Sequence, residues 1–288
     1  MYDFDLFLKN VVLVRYSRNE LINKLTKKYD DFKGLDPVTM SRWVNGITTP
    51  SIQRQILVAH CADSMNEYVQ YPSCPELSSY LRENFQLYTE QFDMAYYSLA
   101  KEVKQQEMFF FAGSQNQVEA IHGFYLDKMS FHKNFKGRAD IDVEMYYLSD
   151  QNEGKATSFL SMSLDTRLYL EKLNLNLDHR DIPLDNSIIV TLSFFSKKRD
   201  FKELAGCLLN RILFKYFDKE GVFLMVRGYR SMAWFDAIGA KKMCLIERSD
   251  LYGNVYLYYI KTKQFFGNAS IFRLVKESYK LYESHSKN

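Results

Sequence analysis

The chain has 288 residues, 47% of them hydrophobic and 16% aromatic, with only 12 Gly and 5 Pro, which excludes extended disorder and leaves room for more than one core. A formal charge of +3 is too small to argue for a nucleic-acid partner in bulk, so any basic footprint has to be local. Asp3 and Asp5 stand where a signal peptide would be basic, and the longest apolar run, Ile188 to Phe195, is broken by Thr191 and Ser193; no membrane partner is expected and the cytoplasm is the expected address.

Phe4, Phe7, Leu8, Val11 and Val14 recur at helical spacing and predict a first helix. Ser17 and Glu20 form an S-x-x-E capping box opening a second helix with Leu21, Ile22 and Leu25 inward. Asp36-Pro37 supplies an N-cap and an N1 proline for a third, which Asn45-Gly46 ends. A fourth follows Pro50, with Ile52, Ile56, Leu57 and Ala59 on its apolar side. YPSCPE, from Tyr71, packs two prolines into four residues and marks a boundary.

Beyond it a helical stretch is expected from about Pro75 to Gln106. VEMYYL and the alternation Leu160, Met162, Leu164 flank a turn-rich Asp150–Gly154 and predict a hairpin. SIIVTLSFF reads as a buried strand. Phe201, Leu204, Leu208, Ile212 and Tyr216 hold a 3.6 period for a helix stopping at Gly221. VFLMV is a strand, a short helix runs through Trp234 and Phe235, and MCLIE and VYLYYI form a second hairpin around LYGN. Antiparallel hairpins thus flank one β-α-β crossover.

Cys61, Cys74, Cys207 and Cys244 lie far apart without a CxxC pair, which favours reduced thiols over a zinc site or disulfides. His122 and His132 are ten residues apart. Asp140, Asp142 and Glu144 alternate along one strand face, as a metal or general-base site would, although a charged strand edge is the simpler reading. Tyr96, Tyr97, Phe109, Phe110, Phe111, Tyr146 and Tyr147 read as core, with an apolar pocket lining as the alternative. No metal site and no catalytic residue is assigned.

The stretch TMSRWVNGITTPS carries the chemistry. Trp43 and Met40 are inward anchors, while Thr39, Ser41, Arg42, Asn45, Thr48 and Thr49 are suited to phosphates and base edges, Arg pairing bidentately with guanine. SRWVNGITTPSIQRQILVAHC resembles the helix-turn-helix of the Cro/cI-type repressors (the XRE family) over roughly residues 4 to 66, with Ser41, Arg42, Trp43, Gly46, Pro50 and Ser51 in register. The resemblance implies that Val38, Thr39, Ser41 and Arg42 read bases and that Arg18, Asn45, Thr48 and Thr49 touch backbone. YDDFKGL, Tyr29 to Leu35, replaces the family's short turn and puts Asp30 and Asp31 near the expected DNA face.

More weakly, the chain from about residue 85 to 265 resembles the GNAT acyltransferase fold through IIVTLSFF, AGCLLNRIL, VFLMV and AWFDAIGAKKM. That resemblance implies an acyl-CoA pyrophosphate against a helix N-terminus, with Lys197, Lys198, Arg199 and Phe235 as the ligand region. In DFKELA, Asp200 replaces the family's Arg or Gln and Glu203 its first glycine, while Phe235 takes the place of the proton-donating tyrosine. The combined expectation is an α+β chain of two domains: an all-α helix-turn-helix domain over 1–66, a linker over 67–84, a larger α/β GNAT-like mixed-sheet domain over 85–268, and a C-terminal helix and tail over 269–288. Its expected function is a DNA-binding transcriptional regulator, a homodimer on double-stranded DNA, whose second domain senses a small molecule or acyl-CoA or builds the dimer without acyl transfer. The alternative is a CoA-dependent N-acyltransferase with an accessory DNA-binding head.

Overall fold

The computed structural model describes residues 4–71, 75–93, 106–126, 135, 137–150, 156–175, 177, 182–250 and 253–286. Cys74, Tyr96, Tyr97, His132, the side chain of His122, and most of both hairpin turns lie outside them.

An N-terminal helical region comes first. Short helices α1 (Phe4–Phe7) and α2 (Leu13–Arg15) are joined through a π-helical turn, Leu8–Val12, into one rod. The capping box is formed at α3 (Arg18–Lys28), Ser17 accepting from the Glu20 amide and Glu20 from that of Ser17. Helices α4 (Pro37–Val44), α5 (Ile52–Cys61) and α6 (Met65–Gln70) complete it. Asp36 and Ser51 cap α4 and α5, supplying side-chain acceptors for first-turn amides that have no carbonyl partner.

α7 (Ser79–Glu90) follows, then one 3₁₀ turn, Gln91–Asp93. Of the helical stretch expected to about Gln106, residues 94–105 lie outside the described residues; its far end is corrected, since Gln106 opens β1 (Gln106–Ser114), whose Phe109–Phe111 run favours a strand. After α8 (Gln115–Leu126) come β2 (Asp142–Asp150), β3 (Ala156–Ser163), α9 (Thr166–Lys172) and β4 (Ser187–Phe194). Then follow α10 (Lys198–Lys215), β5 (Gly221–Arg227), α11 (Tyr229–Ala237), β6 (Lys241–Glu247), β7 (Val255–Lys261), α12 (Thr262–Gly267) and α13 (Ala269–Ser286). α10 ends before Gly221, which opens β5 because a Cβ there would lie 2.2 Å from the Tyr259 ring; the glycine serves packing and is not a helix stop.

The seven strands form one mixed sheet in the order β1-β2-β3-β4-β5-β7-β6. β4 and β5 are parallel and every other adjacent pair is antiparallel. α10 is the expected crossover, and the expectation of only one is corrected, since α11 crosses from β5 to β6 over β7, and β5 and β6 both run antiparallel to β7. Alternation along the strands gives the sheet two apolar faces. Met145, Phe159, Ile189, Phe223 and Leu257 meet α8 and α9. Tyr146, Leu160, Ile188, Val222 and Tyr258 belong to a core that continues through α10 and α13 into the helical region, as far as Phe7, Leu57 and Tyr68.

Two close approaches seat the helices of that face. Gly206 lets α10 and α13 touch, since a Cβ there would lie 2.0 Å from Ser278 Oγ. Gly267 does the same for α12 and α5, where its Cβ would be 2.8 Å from that of Gln53.

Candidate functional site

The first candidate is the outer face of α4. Asp36 accepts from the Thr39 amide at 2.6 Å, which holds its carboxyl below the usual carboxylate range. Met40, Trp43 and Val44 are buried. Gly46, at φ +68°, ends the helix as the left-handed residue that a C-terminal stop favours, and the amides of Ile47 and Thr48 both turn back to the Arg42 carbonyl. With the inward side fixed, Val38, Arg42 and Asn45 form an outward stripe at i, i+4, i+7. Val38 is 68% exposed, and Arg42 and Asn45 are exposed too. Among the described residues the Arg42 guanidinium has no hydrogen-bonding or ionic partner. Asn45 donates to Ser41 Oγ at 3.3 Å. Thr39, Ser41 and Thr48 are half-buried, whereas Thr49 and Arg18 are exposed. Ile47, which the motif reading passed over, is 65% exposed, so two apolar side chains suited to thymine methyls flank the arginine.

The inserted Tyr29–Leu35 segment is anchored by the core. Asp30–Phe32 makes a 3₁₀ turn, and Phe32 is buried edge-on against Trp43 with ring centroids 6.3 Å apart. Asp31 accepts from Gln53 at 2.6 Å and pairs with Lys263 at 3.7 Å, while Asp30 pairs with Lys33 at 2.9 Å. Both carboxylates that threatened the polar face therefore have cationic partners.

The second candidate lies in the sheet. The β4–β5 ladder runs from Ser187↔Gly221 to Val190↔Leu224 and stops, although the strands continue to Phe194 and Arg227. Past that point β4 stays with β3 (Leu160↔Ser193) and β5 with β7 (Arg227↔Val255). The parallel strands fork at their carboxyl ends, the place where open α/β sheets hold ligands.

The fork encloses a partly open cavity of about 370 Å³, walled by Leu192 and Met225 of the strands, Leu208 of α10, Trp234 and Phe235 of α11, and Leu274 of α13. Tyr88 of α7 lies flat on Trp234 at 4.3 Å, and Phe92 on Phe201 at 5.0 Å. Trp234 is 3% exposed and its indole N–H has no acceptor among the described residues, a lack that costs about 1–3 kcal/mol. The volume is that of a small-molecule site.

The four residues expected to hold a ligand separate here. Phe235 lines the cavity. Lys197, Lys198 and Arg199 border a neighbouring depression over the start of α10, with Lys202, Glu203 and Glu277; Leu274 touches both. Asp200 is turned inward, accepting from Ser158 at 2.6 Å, and burial raises its pKa. Glu203 pairs with Arg199 at 2.7 Å. α10 is helical from Lys198, so DFKELA forms its first turns, with a glutamate where close backbone approach needs glycine. These residues do not fit an acyl-CoA pyrophosphate. Nor is a phenol presented at Phe235: Tyr229 is 70% exposed, its hydroxyl accepting from Arg230.

Of the alternating acidic residues, Glu144 and Asp140 are engaged elsewhere and Asp142 is exposed at the start of β2. Glu144 accepts from Arg211 in a two-pronged ion pair and from Tyr216 at 2.7 Å, and Asp140 pairs with Arg138 at 3.6 Å. Among the described residues no group of three His, Cys, Asp or Glu is placed to hold a metal, and no helix is long and apolar enough to cross a membrane. Cys61 and Cys207 are buried and Cys244 is half-buried. Comparison with known proteins returns no match to a family model, a curated protein or a solved structure.

Proposed function

We propose that the chain is a DNA-binding transcriptional regulator in which the helical region is a helix-turn-helix domain of the Cro/cI (XRE) kind and α4 is its recognition helix. The observation that carries this reading is the rigid stripe Val38–Arg42–Asn45, backed by buried Met40 and Trp43 and carrying an arginine with no partner among the described residues. Arg42 reads a guanine edge, Val38 and Ile47 meet thymine methyls, and Arg18, Thr48 and Thr49 touch phosphates. Such domains act on paired half-sites, which calls for a two-fold dimer.

The sheet forms the second, GNAT-like domain of this proposal, supported by its strand order and by the adjacent parallel pair β4 and β5 joined through α10. It serves as a ligand sensor or dimer platform without acyl transfer, because Asp200 and Glu203 occupy the pyrophosphate positions and Phe235 has no hydroxyl. The test is selection of duplex sequences by the full chain, followed by titration of the selected site. Arg42→Ala is expected to weaken binding by about 1–3 kcal/mol and relax specificity at one base pair, with steep salt dependence in the parent. Undiminished affinity and specificity in that variant would remove α4 from the interface.

A further inference from the structure

α13 reaches from the fork cavity to the helical region that carries α4. Ile271 and Leu274 line the fork cavity. On the side turned to the helical region, Phe272 stacks on Tyr68 at 5.3 Å. Lys276 donates to the carbonyls of Tyr68, Val69 and Tyr71 at 3.3, 3.0 and 2.6 Å, satisfying the open end of α6, where helix carbonyls lack partners. Tyr279 donates to Asn66 at 3.4 Å and accepts from Gln70 at 3.3 Å.

From α6 the connection continues to the polar face. The Tyr68 hydroxyl donates to buried Gln55 at 2.8 Å, and Gln55 donates to the Pro50 carbonyl at 2.7 Å. Pro50 closes the loop that carries Ile47, Thr48 and Thr49 behind α4. At the other end, contact between Gly206 and Ser278 leaves α13 no room to shift without α10, and α10 lines the cavity through Ala205, Leu208 and Leu209.

The walls specify the occupant. They are mostly aliphatic and aromatic, with Thr191, Ser193 and Ser231 among them. Thr191 is already bonded to Ser161 at 2.8 Å and Ser231 to Gln91 at 3.1 Å, and the charged side chain, Arg227, is paired with Glu247 at 2.9 Å. Trp234 contributes one buried N–H donor that has no acceptor among the described residues. We propose that an uncharged, largely apolar small molecule with one hydrogen-bond acceptor occupies the fork as an effector, and that α13 transmits its presence to the DNA-facing helices. The DNA part of this proposal rests on the regulator reading; the mechanical part, from cavity to α6 and Pro50, does not.

Prodan, an uncharged naphthyl ketone whose emission shifts to the blue in apolar surroundings, is the probe, used with the full chain. Saturable binding with a blue shift is expected, with altered amide exchange around the fork, in α6 and at residues 47–49. Ala205→Phe, which fills the cavity, should abolish these effects; if that variant does not fold, the exchange pattern around β4, β5 and α11 still locates the probe. On a selected duplex, saturating prodan should change affinity at least about fivefold, and DNA should change prodan affinity by the same factor. Lys276→Met should keep prodan binding and reduce that factor. Absence of saturable binding overturns the proposal, as does binding that leaves exchange in α6 and residues 47–49 unchanged. A chain that selects no duplex, yet shows the exchange response, retires the regulator reading alone.

Discussion

Gly206 sits in the interior of an 18-residue helix, where alanine should be the better residue by about 1 kcal/mol on helix propensity. The structure predicts the opposite sign. A Cβ at this position would lie 2.0 Å from Ser278 Oγ, 2.4 Å from Ser278 Cβ and 3.3 Å from the Leu274 carbonyl oxygen, so α10 and α13 would have to separate. Overpacking of this kind costs about 1–3 kcal/mol, and the seam also carries the hydrogen bonds from Asn210 to the Val275 carbonyl, 2.9 Å, and to Ser278, 3.2 Å. Gly206→Ala is therefore expected to lower the urea midpoint. Ser278→Ala should not rescue it, because the Cβ at 2.4 Å remains; Ser278→Gly should. A double-mutant cycle should then show a coupling of about 1 kcal/mol or more between positions 206 and 278. If Gly206→Ala raises the midpoint, propensity outweighs contact and the account of the seam is wrong.

Two further outcomes concern pH. Asp200 has its pKa raised by burial, so the folded state holds its proton to higher pH than the unfolded chain does. Stability is thereby lost as pH rises from the ordinary value of 3.8 through the raised one. Asp200→Asn should accordingly raise Tm at neutral pH and lose that advantage in acid; a lower Tm at neutral pH would contradict the assignment. His60, beside Phe217 and accepting from or donating to Tyr29 at 2.6 Å, has its pKa lowered by burial first and by Lys28 next. Its contribution is fully present above 6.5 and declines as pH falls from there towards the lowered value. Thermal melts should show that decline in the parent and a flatter profile in His60→Gln; identical profiles would refute it.

Local chemistry made the helical region legible. The Ser17–Glu20 box, Asp36-Pro37 and Asn45-Gly46 are contiguous signals, and each stands where the sequence placed it. Both hairpins and the α10 crossover followed from period-2 and period-3.6 patterns, whereas the second crossover, through α11, did not, because it depends on β7 inserting between β5 and β6. What escaped is nonlocal. The fork between β4 and β5 depends on which neighbour each strand end keeps, and no pattern within VTLSFF encodes that choice. Phe32, within the segment that replaces the family's short turn, finds Trp43 only in the folded chain. The fate of Asp31 depends on Lys263, 232 residues away in the sequence and 3.7 Å away in space. Grouping Lys197–Arg199 with Phe235 followed a linear motif, whereas the side chains border separate depressions.

The grip of Lys276 on the end of α6 also sets an order of assembly. Its carbonyl partners precede it by 205 to 208 positions, an interval of roughly 10–40 s at ordinary translation speed. For that time the emerging head has Tyr68 without its stacking neighbour and a helix end open to water. A ribosome-bound head is thus a natural client for chaperones until the last long helix arrives to close it.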